Sequence, residues 1–237
     1  MTEITNLSDV KNNEFVTDYE QLSVRCDEIN LDKERKEARK IILALKTYLR
    51  EHKDILAISA IQLGFTKRII CMNFNGDIRT FVNPIISNSS ELQLSRETCR
   101  SVPGEEYLLL RSSTIELTYQ TPTGKIMTVE LVGVASQLMQ HHLDHLDGIL
   151  ISDIGLMILE GFDEASEEEK AEVIKMYLDS LDMTAKELDK AVQEDPETKQ
   201  IADAIRFMES VRKGETIIES IPVEEQDEEI EESDNEE

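Results

Sequence analysis

The chain has 237 residues, a hydrophobic content of 40% and a formal net charge of −25 at pH 7. The apolar content is sufficient for a buried core, but no apolar run approaches the ~18 residues that a transmembrane helix needs. The strongly acidic charge disfavours binding to nucleic acid and to anionic membranes.

The first part of the chain combines a helix with a short apolar segment. Residues 1–30 are polar and mixed and show no firm period. Apolar residues recur at helical spacing from Asp32 to about Lys53, with charged residues between them, and predict an amphipathic helix. A run of small apolar residues at 55–64 follows, and it contains a single amide, Gln62.

The middle of the chain is dominated by strand patterns. Four runs predict β-strands, at residues 68–74, 78–82, 113–119 and 125–131. Asn75-Gly76 is typical of a hairpin turn between the first two runs, and Pro84 is predicted to end the second strand. No strand is predicted between Pro84 and Ser113. A helix that begins after Gly133 contains three of the four histidines. Strands followed by a buried helix predict an α+β domain.

The composition changes after Gly161. Residues 160–237 hold 28 acidic and 8 basic residues, whereas residues 1–159 hold 22 and 17. Capping-box patterns and apolar stripes predict about three short helices from 166 to 213. Ten of the last fourteen residues are acidic, which predicts a disordered tail. We therefore predict four parts: an N-terminal segment at 1–30, an α+β domain at 31–160, an acidic all-helical extension at 161–215 and a disordered acidic tail at 216–237.

The three clustered histidines lie in the stretch 140–148, Gln-His-His-Leu-Asp-His-Leu-Asp-Gly. On a helix, His141 and His145 share one face with their Cβ atoms about 5–6 Å apart. Two imidazole nitrogens at this spacing can bind one divalent cation, although such pairs also arise by chance as a polar patch. A catalytic site of this kind usually has a third protein ligand and an open position, and a thiolate is a good candidate for that ligand.

Three short stretches occur in one order along the chain: Ala-Ile-Ser-Ala-Ile-Gln at 57–62, Glu-Thr-Cys-Arg-Ser at 97–101 and Gln-His-His-Leu-Asp-His at 140–145. Together they resemble the three signature motifs of the peptide deformylase family, GxGLAAxQ, EGCLS and QHExDH. The resemblance covers roughly residues 30–155 and does not extend to residues 160–237. It implies a peptide-deformylase-like fold, in which antiparallel strands surround a central metal-binding helix.

The resemblance also assigns roles to individual residues. It makes Cys99, His141 and His145 the ligands of one divalent metal ion, commonly Fe²⁺, with Zn²⁺ or Ni²⁺ able to occupy the same site. It makes the Gln62 amide and the backbone N–H of Arg100 the donors that bind the substrate carbonyl oxygen as charge develops there. Two carboxylates, those of Glu97 and Asp144, would support the site without reacting.

The implied reaction removes the formyl group from N-formylmethionine at the start of a new polypeptide. The partner would therefore be the N-formylmethionyl N-terminus of a nascent chain at the ribosome. An odd number of cysteines argues against a disulfide scaffold and favours a reducing compartment. The first residues lack the basic and apolar regions of a signal peptide, and we expect a cytoplasmic protein.

Several residues depart from the family pattern. The family glutamate that moves the proton of the attacking water is replaced by His142, and a general acid–base contributes ~10²–10⁴-fold. A neutral His142 could accept that proton, or it could become an extra metal ligand that closes the open position. Ile55, Ala57 and Thr98 replace glycines, and Arg100 replaces a leucine, and these changes concern the substrate groove more than the metal site.

Two hypotheses therefore stand. In the first, the chain is a divergent metal-dependent deformylase, with His142, Gln62 and Arg100 as catalytic residues. In the second, it is a non-catalytic protein on the same fold, which binds a partner through its peptide groove or its acidic extension. The substitution His142→Glu distinguishes them, because a large gain of activity indicates a decayed site and a loss indicates an adapted base.

Overall fold

The structure is a computed structural model that describes residues 15–90, 92–177 and 181. Its helices are α1 (Tyr19–Leu22), α2 (Arg35–Glu51), α3 (Val134–Asp147), α4 (Ile151–Ile154) and α5 (167–177), with a 3₁₀ helix at Ala60–Leu63. Its strands are β1 (Ala57–Ser59), β2 (Ile69–Phe74), β3 (Asp77–Ser89), β4 (Leu92–Cys99), β5 (Val102–Ser112), β6 (Thr114–Gln120), β7 (Ile126–Val132) and β8 (Leu156–Met157). The predicted acidic tail and most of the predicted helical extension lie outside the described residues.

The strands form two antiparallel sheets, and the predicted α+β class is confirmed. The larger sheet has the order β1-β2-β3-β6-β7, and the smaller one has the order β4-β5-β8. Asn75 and Gly76 form the predicted two-residue hairpin turn, since Phe74 pairs with Asp77. Both turn residues have a positive φ, 54° and 104°, which matches the right-handed twist of the flanking strands.

The middle of the chain contains one wrong prediction, the end of the second strand at Pro84, and one hairpin that was not predicted. Strand β3 does not end at Pro84 but continues to Ser89, because its register shifts between Val82 and Ile85 and the proline lies in that irregular part of the ladder. A proline is tolerated at such a point because it needs no N–H for pairing there. The stretch after it, for which no strand was predicted, forms the hairpin of β4 and β5, whose pairing depends on contacts beyond the local pattern.

Helix α3 lies between the two sheets, and this position decides where the histidines lie. It contacts β1 and β7 of the larger sheet and β5 of the smaller one. Its core residues Met139, Leu143 and Leu146 pack with side chains of β2, β3 and β6. The amphipathic helix predicted from Asp32, observed as α2, covers the opposite face of the larger sheet. The central helix is therefore held on two sides, which fixes the direction of the side chains it carries.

Residues 15–30 pack against the α+β domain. Leu22, Cys26 and Ile29 are buried, and the Cys26 N–H donates to the Leu146 carbonyl oxygen at 2.8 Å. The Val16 N–H donates to the Gln62 carbonyl oxygen at 3.0 Å. These contacts bring the N-terminal segment close to both Gln62 and the end of α3. Within the described ranges, every helix is too short or too polar to cross a bilayer.

Candidate metal centre

Helix α3 presents His141 and His145 on the face that points toward the smaller sheet, and both are buried, at 8% and 1% exposure. The helix ends at Gly148, whose left-handed φ of 76° lets its N–H bond to the Asp144 and His145 carbonyl oxygens. A Cβ on Gly148 would lie 2.8 Å from the Ser23 backbone. The end of the histidine helix therefore needs a glycine for both its conformation and its close packing.

Cys99 reaches the same point from the end of β4. The β4–β5 register shifts between Thr98 and Cys99, and the Cys99 Sγ lies 3.2 Å from the His145 Nε2. The ligand atoms of Cys99, His141 and His145 all lie within 4.8 Å of one another. Ligand bonds of about 2.0–2.3 Å to a single ion need only small side-chain adjustments from this arrangement. The sulfur and the paired imidazoles thus converge as the sequence predicts, and the group is a candidate metal site.

In the metal-free protein, Cys99 and His141 form a thiolate–imidazolium pair, and a metal ion that binds here displaces the His141 proton. Burial alone would raise the pKa of the Cys99 thiol, but the hydrogen bonds and charges of His141 and His145 lower it to about 5. Burial likewise disfavours a charged His141, but the Cys99 sulfur and Glu97 raise its pKa to about 9. Cys99 is therefore a thiolate at neutral pH, which is the form that binds metals.

A buried ionic network orients the His141 ring. The His141 Nδ1–H donates to the Glu97 Oε2 at 3.0 Å, so Nε2 is the ring nitrogen that can bind a metal once it releases its proton. The Arg111 guanidinium donates to both Glu97 oxygens at 2.8 and 3.0 Å and to the Asp144 Oδ2 at 2.5 Å. Burial would raise the pKa of Glu97, but the hydrogen bonds from His141 and Arg111 lower it to about 2. Glu97 thus remains a carboxylate next to the candidate ligand.

Arg111 is a functional residue that the sequence analysis missed. Its side chain is only 5% exposed. The available signal was an arginine directly after the apolar run Leu108-Leu109-Leu110, because a charged residue at the end of a buried strand needs carboxylate partners. The positions of those partners, on β4 and α3, could not be read from the strand itself.

Gln62 lies beside the ligand group and is held in one orientation. Its Oε1 accepts hydrogen bonds from the Ser59 N–H at 3.0 Å and the Ser59 hydroxyl at 3.2 Å. This fixes the amide nitrogen toward the site, 3.3 Å from the His145 Nε2 and within 3.4 Å of the Ser101 Oγ. The amide nitrogen of Gln62 therefore points toward the candidate ligand group.

His142 lies next to the group but does not belong to it. The cluster of mutually close ligand atoms consists of Cys99, His141 and His145. His142 is 4% exposed, and its Nδ1 has no hydrogen-bond partner among the described residues. His142 is thus not part of the close ligand group in this structure. Instead its ring lines a cleft next to the site.

The cleft has a volume of about 380 Å³ and opens over the candidate ligands. Its walls come from residues 54–57, from residues 95–100 and from the Val134, Gln137 and Leu138 side of α3. Arg100 lies in the turn after Cys99, and its side chain forms an ion pair with Asp54 of the facing wall. The structure thus brings the predicted residues His142, Gln62 and Arg100 to one cleft.

The glycine replacements in this cleft impose no backbone strain. In the described part of the chain, positive φ values outside glycine occur only at Asn75 and Asn83. Ala57 and Thr98 therefore have conformations that any residue can adopt. The replacements change the shape of the walls through their side chains and not through the backbone.

Comparison with known proteins agrees with this geometry. Residues 14–155 match the family described as polypeptide deformylase. A peptide deformylase of Treponema pallidum (strain Nichols) is 35% identical over 99 residues, which cover 41% of this chain and 61% of that protein. The chain thus spans about three fifths of the length of the curated relatives it matches.

Solved structures share the fold. A probable peptide deformylase from synechococcus phage S-SSM7 is 30% identical, with a TM-score of 0.54, over 60% of this chain and 99% of that one. An actinonin-bound class I type b peptide deformylase from Acinetobacter baumannii is 27% identical, with a TM-score of 0.51, over 56% of this chain and 89% of that one. Because the matched region is more than half of the chain and includes Gln62, Cys99, His141 and His145, the chain belongs to the polypeptide deformylase family.

Proposed function

We propose that the chain is a metal-dependent hydrolase that removes the formyl group from N-formylmethionyl peptides, with the N-termini of nascent chains at the ribosome as its substrates. The observation that carries the proposal is the convergence of Cys99, His141 and His145 beside the Gln62 amide at one cleft. The related Acinetobacter baumannii protein binds actinonin. A cleft of about 380 Å³ has room for a methionine side chain and adjoining backbone.

The donor set fits a divalent metal ion. One thiolate and two imidazoles suit Fe²⁺, Zn²⁺ or Ni²⁺, and all three side chains are buried. Cys99, His141 and His145 would hold the ion, and Glu97 would fix the His141 ring through its Nδ1–H. Such an ion lowers the pKa of a water and polarises the formyl oxygen.

Gln62 and Arg100 would stabilise the developing negative charge on the formyl oxygen. The Gln62 amide is held by Ser59, so its donors need no reorganisation when the substrate binds. The backbone N–H of Arg100 follows Cys99 directly and would be the second donor. Loss of one donor of this kind typically reduces the rate by about 10²–10³-fold.

His142 would move the proton. Burial and the charges of His141, His145 and Arg111 hold the pKa of His142 well below its ordinary value, so the ring is neutral and has an unprotonated nitrogen, and the same effects make it a weak base. Water attacks the formyl carbon, and His142 takes the proton that the water loses. The carbon–nitrogen bond then breaks, and the same proton passes to the leaving amine, so that formate and a free N-terminus are the products.

Formate release tests this function directly. Protein loaded anaerobically with Fe²⁺ should release formate from formyl-Met-Ala-Ser, and the same preparation of Cys99→Ala should not, because it lacks a ligand. A parallel assay with unformylated Met-Ala-Ser controls for other sources of formate. Wild-type release no greater than that of Cys99→Ala would refute the proposed activity and favour the non-catalytic hypothesis.

A further inference from the structure

The segment after α4 lies beyond the family-matched residues and packs against the smaller sheet. Strand β8 pairs with β5 through Met157 and Leu156, and the Ile158 N–H donates to the Glu106 carbonyl oxygen at 2.8 Å. Strand β4, which carries Glu97 and Cys99, is an edge of this sheet. The position of β4 therefore depends on β5, and β5 is held on its other side by the segment that follows residue 155.

A second contact joins this segment to β4 itself. The Arg96 guanidinium forms a two-pronged pair with the Asp163 carboxylate, at 2.7 and 3.0 Å. It also pairs with both oxygens of Glu106 on β5, each at 2.6 Å. A single exposed pair contributes little stability, but a planar guanidinium held by two carboxylates is fixed in direction. The Arg96 side chain thus connects β4 to both β5 and the segment. Arg96 directly precedes Glu97.

The third contact is made by Tyr177, at the end of the described part of α5. Its side chain is buried, and its hydroxyl donates to the Ile154 carbonyl oxygen at 2.9 Å. Burial raises the pKa of Tyr177, although a hydrogen bond from the Leu110 N–H to the hydroxyl and the nearby charge of Arg111 act in the opposite direction. The hydroxyl is therefore neutral and links α4 to β5.

The Leu110 N–H, which acts on the pKa of Tyr177, lies at the edge of β5 beyond the end of β8. Backbone groups alternate in direction along a strand, and the bond from Ile158 shows that Glu106 directs its groups toward β8. Leu110 therefore points to the same side, but β8 extends only opposite Tyr107 and Leu108. The Tyr177 hydroxyl covers the edge where the short strand ends. Leu110 directly precedes Arg111, which holds Glu97 and Asp144.

We propose that residues 156–177 form a brace for the metal centre, in which Asp163 and Tyr177 are positioning residues. They hold β4 and β5 in place, and these strands in turn place Glu97 and Arg111, which orient the His141 ligand. The inference rests on the metal centre of the proposed function, but it does not depend on which substrate that centre acts on.

Cobalt binding tests the brace without relying on turnover. Metal-free wild type, Tyr177→Phe and Asp163→Asn would be titrated with Co²⁺ against a competing chelator, with the thiolate-to-cobalt and ligand-field absorption bands recorded. Both variants should bind Co²⁺ about tenfold more weakly, the lower end of what loss of a supporting partner typically costs. Their ligand-field bands should also change in position or intensity, because the His141 ring is less well fixed.

Matched controls separate this effect from general destabilisation. Tyr119→Phe removes a hydroxyl from a partly buried tyrosine of the larger sheet, and Glu167→Gln removes an exposed carboxylate of α5 that pairs with Lys170. Both should match the wild type in affinity and spectrum. The unfolding midpoint of every variant would be measured in parallel.

The outcomes are distinct. Variants of Asp163 and Tyr177 that bind Co²⁺ within twofold of the wild type with unchanged spectra would overturn the brace, even if their unfolding midpoints fell. If either Asp163→Asn or Tyr177→Phe does not fold, the cobalt affinity and spectrum of the other variant test the brace. A wild type that binds no Co²⁺ would overturn the metal centre and this inference together. Weaker cobalt binding in both variants, in a protein that releases no formate, would support the brace and refute the proposed activity.

Discussion

Cys99 shows how a single side chain is changed by its neighbours. Burial raises the pKa of Cys26 to about 12 and of Cys71 to about 11, so both remain thiols at neutral pH. Cys99 is also buried, but the two imidazoles beside it lower its pKa to about 5. The difference depends on where β4 ends relative to α3.

Titration of the metal-free protein tests this difference. The shift of Cys99 is downward, so its thiolate is present at neutral pH and is lost as the pH falls through about 5. The absorbance of the thiolate in the far ultraviolet should therefore show a step at that pH in the wild type. The step should be missing in Cys99→Ser. A Cys99 thiol that ionises only above neutral pH would contradict the proposed electrostatics.

The role of His142 as the proton acceptor can be tested by substitution. His142→Ala should lower kcat/KM for formyl-Met-Ala-Ser by about 10²–10⁴-fold, because the variant lacks the group that accepts the proton. His52→Ala, which removes a histidine stacked on Tyr48, is the matched control and should keep the wild-type rate. His142→Glu should also lose activity if the histidine is an adapted base. A large gain from a near-zero wild-type rate would instead indicate a decayed site.

At the scale of elements, the end of α3 is the most constrained point of the site. Gly148→Ala should destabilise the fold by about 2–5 kcal/mol, the sum of left-handed strain and overpacking against Ser23. Gly64→Ala is a matched control, since Gly64 has a similar φ of 82° but no atom within 4 Å of an added Cβ. Gly64→Ala should lower the free energy of unfolding only by the left-handed strain, about 1–2 kcal/mol. Chemical denaturation measures both, and equal losses would show that the contact with Ser23 does not matter.

Elements with a strong local signal could be predicted from the sequence. The Asn75-Gly76 turn and the amphipathic pattern of α2 are local features, and both elements form where they were predicted. The β4–β5 hairpin turns at Arg100-Ser101, which lacks such a sequence signal, and its register shifts next to Cys99. Its strands form because α4 and β8 cover the hairpin, and contacts of that kind leave no periodic trace in either strand.

At the scale of the whole molecule, Arg111 joins β5, β4 and α3. Arg111→Leu would remove the guanidinium from both Glu97 and Asp144 and leave Glu97 with His141 alone. Because Glu97 is only 10% exposed, we expect a loss of about 3–5 kcal/mol in the free energy of unfolding. Arg79→Leu breaks an exposed pair with Asp77 and should cost about 0–1 kcal/mol. Urea denaturation of both variants checks the difference, and similar losses would mean that the buried network adds no special stability.

The sequence by itself determined the features that depend on neighbours within one or two turns of chain. The spacing of His141 and His145 places them on one helix face, because the period of a helix is local and fixed. Only the tertiary structure decided that the Cys99 sulfur meets them, that His142 lines the cleft, and that Arg111 holds Glu97 and Asp144. These arrangements join residues far apart in the chain, and they depend on how two sheets pack around one helix.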